Sequence, residues 1–345
     1  MGVSKSLAVV VPAYNEGDGL REFHQRLATV FDRLDLDCRV IYVDDGSADH
    51  TWRVMQALAA DDGRVATLRL SRNFGKELAM TAGLDYADAD AVVVIDADLQ
   101  DPPELIPELL ARWREGFDVV YGTRDVRAGE SWLKRLTATA FYRLIGRISP
   151  TPIPADTGDF RLLDRRAHQA LKQLRERHRF MKGLFAWVGY RQTALVYHRD
   201  PRHSGTSKFN YWKLWNFAIE GITSFSTVPL RLATYLGLLT ALVAFVFGIW
   251  VVVKAMFFGD PVPGYPSLMA VILFLGGLQL LALGVIGEYL GRLFTESKQR
   301  PLYLLQTVEP ARADAPAESR CGAESEGDTE TGRQMRAGSS GQSSV

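Results

Sequence analysis

The segment Leu7-Ala8-Val9-Val10-Val11-Pro12-Ala13-Tyr14-Asn15-Glu16 is an unbroken apolar run that stops at a proline and turns polar. Because every position is apolar, rather than every second one, it reads as a strand covered on both faces, as in a parallel sheet between helices. The same rhythm repeats outward from it. Residues 39–43, 66–70, 91–95 and 119–122 are short apolar, mostly β-branched runs, and residues 20–34, 51–60, 76–87 and 103–115 between them carry amphipathic helical patterns. This alternation predicts right-handed βαβ units around a mainly parallel, Rossmann-like sheet, an α/β fold. Such sheets bind ligands outside the carboxyl ends of their strands, so the residues closing each run are the candidate site.

Several of these ends carry carboxylates. The first strand closes in Pro12-Ala13-Tyr14-Asn15-Glu16, the second in Asp44-Asp45-Gly46-Ser47 and the fourth in Asp96-Ala97-Asp98-Leu99-Gln100. A carboxylate there accepts hydrogen bonds from a base or ribose, and Gly46 permits the tight turn beside it. Asp-Asp-Gly-Ser is equally an ordinary turn and helix cap, with Ser47 or Asp49 starting a helix at Thr51. Taken as strand, Asp96 and Asp98 face one crevice, where like charges so close require a proton or a cation. Mg²⁺ or Mn²⁺ suits the pair, because hard ions take few protein oxygens, here Asp98 and the Gln100 carbonyl, and complete their shell from substrate phosphates. Structural carboxylates at a helix N-terminus are the alternative. Asp101 and Glu104 fit it better, since Pro103 begins a helix there.

Composition removes other classes. Lys plus Arg and Asp plus Glu each number 40, so the formal charge is zero and no nucleic-acid binding is expected. No Gly-x-Gly-x-x-Gly follows the first strand and no Gly-Lys-Ser or Gly-Lys-Thr loop exists, which disfavours dinucleotide dehydrogenases and P-loop enzymes. The six histidines are scattered, with no helical pair to chelate zinc. Cys38 and Cys321 lie far apart without metal or disulfide spacing, which suits a reducing compartment. Residues 1–6 are too short and too weakly basic for a signal peptide, so the front of the chain is expected in the cytosol.

Residues 124–229 read as mixed, with a basic helix near 132–148, a proline-rich loop at 150–154 and a strand near 193–198. In Asp156-Thr157-Gly158-Asp159-Phe160-Arg161 an aspartate can face a sugar's anomeric carbon, with Arg161 holding the loop through a carboxylate pair. Arg199, Arg202, Ser204 and Lys208 share one glycine-containing loop suited to a phosphate at the bilayer surface, although a basic stretch touching anionic lipid has the same composition. Phe209, Tyr211, Trp212, Trp215, Phe217 and Phe225 alternate with Lys208 and Lys213, which predicts interfacial helices over 208–230; an aromatic core helix is the plainer reading.

Residues 232–253 and 267–287 are charge-free and apolar, each near the roughly 20 residues that cross about 30 Å of hydrocarbon. They predict transmembrane helices within 231–258 and 265–291. The connector lacks cations, whereas Arg231 precedes the first span and Arg292, Lys298 and Arg300 follow the second, so both ends are expected in the cytoplasm. Residues 306–345 hold few apolar side chains and are expected to be disordered.

Taken in order, 12–16, 44–47, 96–100, Gly122-Thr123-Arg124, 156–161 and 199–208, followed by two spans, the motifs resemble those of family 2 glycosyltransferases of the polyprenyl-phosphate type. That family contains dolichol-phosphate mannosyltransferases and bacterial undecaprenyl-phosphate glucosyltransferases. The resemblance implies a cytosolic GT-A catalytic domain over 1–207, with Pro12, Ala13, Tyr14, Glu16 and Asp44 holding the nucleoside. It gives Asp96, Asp98 and Gln100 the metal and diphosphate, and it places Arg124, Arg202 and Lys208 near phosphates, the last two in the loop that also carries Arg199 and Ser204. Asp159, with Asp156 as the alternative in register, is implied at the reaction centre. The two-span hairpin looks closest to the bacterial glucosyltransferase branch, so the expected reaction is inverting transfer of glucose from UDP-glucose to a polyisoprenyl phosphate at the inner (plasma) membrane. GDP-mannose or another UDP-sugar, or a noncatalytic membrane scaffold, are the competing readings. The bacterial relatives also imply a homo-oligomer assembled through the membrane region.

Overall fold

The computed structural model describes residues 5–124, 157–177, 179–197, 228–258 and 264–312. The chain divides into two compact units, Met1–Pro107 with Tyr303–Val345, and Glu108–Leu302.

In the first unit the predicted alternation is present as β1 (Ser6–Ala13), α1 (Leu20–Phe31), β2 (Asp37–Asp44), α2 (Thr51–Asp61), β3 (Val65–Leu70), α3 (Lys76–Tyr86) and β4 (Ala91–Val94). A 3-10 turn at Pro103–Leu105 leads into α4 (Ile106–Arg114). β1 pairs in parallel with β2 (Val9 opposite Val40, Ala13 opposite Asp44) and with β4 (Val10 opposite Val94), and β2 pairs in parallel with β3. The order β4-β1-β2-β3 therefore reverses direction at β1, and the β1/β4 boundary is the switch point outside which such sheets open their crevice.

The layers follow from side-chain spacing. In α1, Leu20, Phe23, Leu27, Val30 and Phe31 recur at three- and four-residue intervals and are all buried. α3 sits closest to the sheet because its buried face is Ala79, Met80, Ala82 and Gly83; a Cβ at Gly83 would collide with Val10 of β1 and Val43 of β2. Burial pushes the Cys38 thiol up to about 11, so it stays protonated and packs as a small apolar residue.

The C-terminal region departs from expectation. Residues 305–309 do not belong to a disordered tail; after the unit-two helices introduced below, the chain forms a last strand, β8 (Leu305–Glu309), antiparallel on β3 with Leu68 opposite Val308. The outer edge of β3 would otherwise leave backbone donors and acceptors unpaired. The Ser71 N–H donates to the Leu304 carbonyl at 2.9 Å, the Tyr303 hydroxyl to Asp85 at 2.9 Å, and Glu309 accepts from Gln56 and Thr67. Residues 313–345, to which the remainder of that expectation applies, lie outside the described residues.

The second unit contains β5 (Val119–Arg124), β6 (Thr157–Asp164), α5 (Arg165–Gln173), α6 (Met181–Trp187), β7 (Gln192–Tyr197), α7 (Val228–Phe258) and α8 (Tyr265–Ser297). Here β5 pairs antiparallel with β6 and parallel with β7. Asp164 caps α5 by accepting the Arg166 N–H at 2.9 Å, and its other oxygen takes the Trp113 indole N–H. Among the described residues, Phe274–Ser297 is the one stretch long and apolar enough to cross a membrane; Ala233–Phe247 is apolar but shorter. Large apolar side chains on both long helices, including Leu238, Phe245, Leu280 and Leu293, are exposed.

Candidate active site

The carboxyl ends of β1, β2 and β4 meet at the switch point, and the backbone there is unusual. Asn15 (φ 56°), Gly46 (φ 68°) and Leu99 (φ 59°) all take left-handed conformations, one in each strand-end loop. For Leu99, fully buried and not glycine, that geometry costs about 1–2 kcal/mol. Non-glycine residues held this way concentrate where a loop must present particular groups.

The first two loops are laced together by hydrogen bonds. Asn15 N–H donates to Ser47 Oγ and Glu16 N–H to Thr51 Oγ1, both at 3.0 Å, while Asn15 Oδ1 accepts the Ala48 N–H. Of the two residues expected to start the helix, Ser47 or Asp49, it is Asp49 that accepts the Thr51 N–H, while the Ser47 hydroxyl is engaged by Asn15. Pro12 and Ala13 are buried at the end of β1, whereas Tyr14 is 46 % exposed and open to a ligand.

A second pattern was not anticipated from sequence. The segment from Arg69 to Lys76, running from β3 into α3, supplies partners for three strand-end carboxylates. Asp44, completely buried, accepts the Ser47 N–H at 2.9 Å and lies 3.2 Å from Arg69 Nε. Asp45 accepts the N–H groups of Phe74 (2.7 Å) and Gly75 (2.9 Å). Asp96 is paired with Lys76, whose Nζ lies 2.8 Å from one carboxylate oxygen and 2.7 Å from the other. A lysine thus supplies a counter-charge to Asp96. The sequence signal was present in the Gly75-Lys76 start of α3, a few residues after the third strand.

Burial pushes the Asp45 carboxyl above the ordinary range, and the neighbouring Asp44 adds to this, while the Phe74 and Gly75 N–H groups and Arg72 pull it back. A carboxyl whose folded-state pKa is raised binds its proton more tightly in the folded chain. Its contribution to stability is fully present below the unfolded-chain pKa and is lost as pH rises through the folded value. Asp45→Asn is therefore expected to flatten the fall of stability with pH just above the ordinary aspartate range, as measured by denaturant midpoints of variant and parent.

The Asp96–Gln100 segment also differs from expectation. β4 ends at Val94, so strand alternation does not orient Asp96 and Asp98. The left-handed Leu99 turns the chain instead, and the Gln100 N–H donates back to Asp98 Oδ1 at 3.2 Å. Among the described residues no group of three or more His, Cys, Asp and Glu side chains is gathered to hold a metal unaided. Two carboxylates with hard oxygen donors still fit a Mg²⁺-like ion that draws its other ligands from phosphates and water.

In the second unit Asp159 lies in β6, half-buried, and Arg124 ends β5 in register with Tyr197. Arg161 lies two residues further along β6. It is buried, donates to the Gly158 carbonyl at 2.8 Å and stacks 3.7 Å over the Phe185 ring. Asp156, Arg199, Arg202, Ser204 and Lys208 lie outside the described residues, as do residues 208–227 of the interfacial helices expected over 208–230; residues 228–230 begin α7.

Residues 8–172 match the glycosyl transferase family 2 model, and residues 228–293 match the GtrB C-terminal hairpin. A glycosyltransferase of Synechocystis sp. is 54 % identical over 88 % of this chain and 95 % of its own length. The chain belongs to glycosyl transferase family 2. It is a glycosyltransferase with a GT-A-like fold, mainly parallel in its sheet. A bactoprenol glucosyl transferase of Shigella phage SfV is 47 % identical over 87 % of this chain and 98 % of its own. A prophage bactoprenol glucosyl transferase homolog of Escherichia coli K12 is 45 % identical over 88 % and 99 %. Among solved structures, glucosyl-3-phosphoglycerate synthase from Mycobacterium tuberculosis, in complex with Mn²⁺ and UDP-glucose, aligns with a TM-score of 0.41. It is 20 % identical, over 64 % of this chain and 77 % of that one.

Proposed function

We propose that this family 2 enzyme transfers glucose from UDP-glucose to a polyisoprenyl phosphate such as undecaprenyl phosphate, with inversion at the anomeric carbon. The observation that carries this reading is the order of two matches along one chain, a family 2 domain followed by the GtrB hairpin. It is supported by identity of 45–47 % along nearly the full length of the bactoprenol glucosyl transferases.

The chemistry follows from the reactants. A phosphate monoester has its second pKa near about 6, so at cytosolic pH the acceptor is mostly a dianion and needs little help from a general base. One of its oxygens forms the new bond to the anomeric carbon as the bond to the UDP oxygen breaks in line, and UDP leaves with that electron pair. Asp159, or Asp156, orients the acceptor rather than deprotonating it. Asp96, Asp98 and Gln100 would hold Mg²⁺ or Mn²⁺, whose charge offsets that growing on the departing diphosphate. Tyr14, with Pro12, Ala13 and Glu16 beside it, lines the nucleoside. Asp44 serves it from beneath, through the turn it holds. Arg124, Arg199, Arg202, Ser204 and Lys208 take the phosphates.

The long helices α7 and α8 are proposed to cross the inner (plasma) membrane as a hairpin with both ends cytoplasmic. The exposed apolar side chains along both helices support this, as does the placing of Arg231, Arg292, Lys298 and Arg300 at one end. Such an anchor holds the catalytic unit at headgroup depth and replaces a bulk search by a local one. A homo-oligomer assembled through these helices is part of the same proposal.

The test is a donor panel with undecaprenyl phosphate, with and without Mn²⁺, reading radiolabelled lipid product. UDP-glucose is expected to give the fastest, metal-dependent transfer. A preference for GDP-mannose or another UDP-sugar overturns the donor assignment, and no lipid-linked product from any donor favours a noncatalytic scaffold.

A further inference from the structure

We propose that Lys76 is a resident counter-cation of Asp96 which the divalent ion must displace, and that this exchange makes metal and nucleotide binding interdependent. The inference rests on the metal assignment just proposed. The Lys76 ammonium sits within 2.8 Å of both Asp96 oxygens, the atoms an incoming hard ion would contact. The two partners are unequally held. The Asp96 side chain is 18 % exposed, at the end of a buried strand, whereas that of Lys76 is 45 % exposed on a flexible four-carbon stem. The root of that stem is nevertheless fixed. Lys76 is the first residue of α3 and follows Gly75, whose φ is 99° and whose N–H is bound to Asp45. The head can swing while the pivot stays in place.

A half-exposed ion pair contributes up to about 1 kcal/mol, or roughly fivefold in an equilibrium constant. This is enough to weaken metal binding to the empty enzyme without blocking the site. An ion arriving alone must evict the ammonium and then sit beside it. When a nucleoside diphosphate arrives too, the evicted ammonium gains phosphate oxygens to bind, and the repulsion is removed. Linkage then requires that UDP tighten metal binding by the same factor as the metal tightens UDP binding.

The test measures Mn²⁺ binding by the full-length protein in detergent micelles, with free Mn²⁺ read by electron paramagnetic resonance, with and without UDP. Without UDP, Lys76→Met is expected to bind Mn²⁺ about fivefold more tightly than the parent, and its further tightening by UDP should shrink by a similar factor. Lys76→Arg, which keeps the charge, should behave like the parent. Lys76→Gln replaces the methionine variant if that one melts early. Unchanged or weaker nucleotide-free Mn²⁺ binding in the neutral variant overturns the proposal. Asp98→Asn, measured alongside, separates the two readings. Loss of Mn²⁺ binding in Asp98→Asn with no change in Lys76→Met sinks only the role of Lys76. Parent-like Mn²⁺ binding in Asp98→Asn sinks the metal assignment and this inference with it.

Discussion

Asp98→Asn is expected to lower kcat/KM for sugar transfer by about 10²–10³-fold, corresponding to roughly 3–4 kcal/mol of lost transition-state stabilisation. The substitution is nearly isosteric. An amide oxygen can still accept the Gln100 N–H that now bonds Asp98 Oδ1, and Leu99 can keep its left-handed turn. What disappears is one negative charge at the carboxyl end of the sheet, where a cation would offset charge on the leaving diphosphate. The loss should therefore appear in turnover and in the metal concentration needed for half-maximal rate, with little change in melting temperature. Transfer from radiolabelled UDP-glucose across a Mn²⁺ titration measures both quantities. A parent-like rate would remove Asp98 from the metal site.

Gly46→Ala should be the most damaging single methyl group that can be added around the site. Gly46 has φ 68°, a region that costs an L-residue about 1–2 kcal/mol. A Cβ there would stand 2.5 Å from the Arg72 carbonyl carbon and 2.7 Å from the Asn73 nitrogen. Both are backbone atoms, so relief requires moving the segment that leads into α3, at roughly a further 1–3 kcal/mol, about 2–5 kcal/mol together. For a unit of this size that is a fall in melting temperature of roughly 4–20 °C. The same shift would disturb the Phe74 and Gly75 bonds to Asp45 and the approach of Lys76 to Asp96, so UDP affinity should fall as well. Gly19→Ala is the control. Its φ is −92° and nothing lies within 4 Å of an added Cβ, so stability and affinity should stay near the parent values. Equal melting curves for the two variants would contradict the packing described around Gly46.

The strands that form the switch point were legible because β1 and β4 are apolar on nearly every residue and β2 is apolar without a break from Val40 to Val43, a pattern that survives without knowledge of neighbours. β6 was not. Its Thr157, Asp159 and Arg161 interrupt the apolar run, and among the groups that accommodate Arg161 is the ring face of Phe185, distant in sequence. The carboxylates of the site were visible as residues, but their partners were not, since Asp96 and Lys76 are separated by two elements of structure. Local pattern also misled at the fourth strand, which ends at Val94, short of Asp96 and Asp98, and passes into a loop whose left-handed Leu99 is invisible to periodicity.

β8 changes what counts as the end of the catalytic unit. Gln306, Thr307 and Glu309 give it the composition of a solvated tail, yet it covers the rim of β3, and Ala311 just beyond it is buried. An expression variant shortened to the end of α8 would lose this cover and leave an unpaired strand next to the Lys76 segment, available for pairing with any other exposed strand. Shortening from the C-terminus should therefore stop beyond Ala311, and a fused reporter belongs after that residue rather than on the helix that precedes the strand.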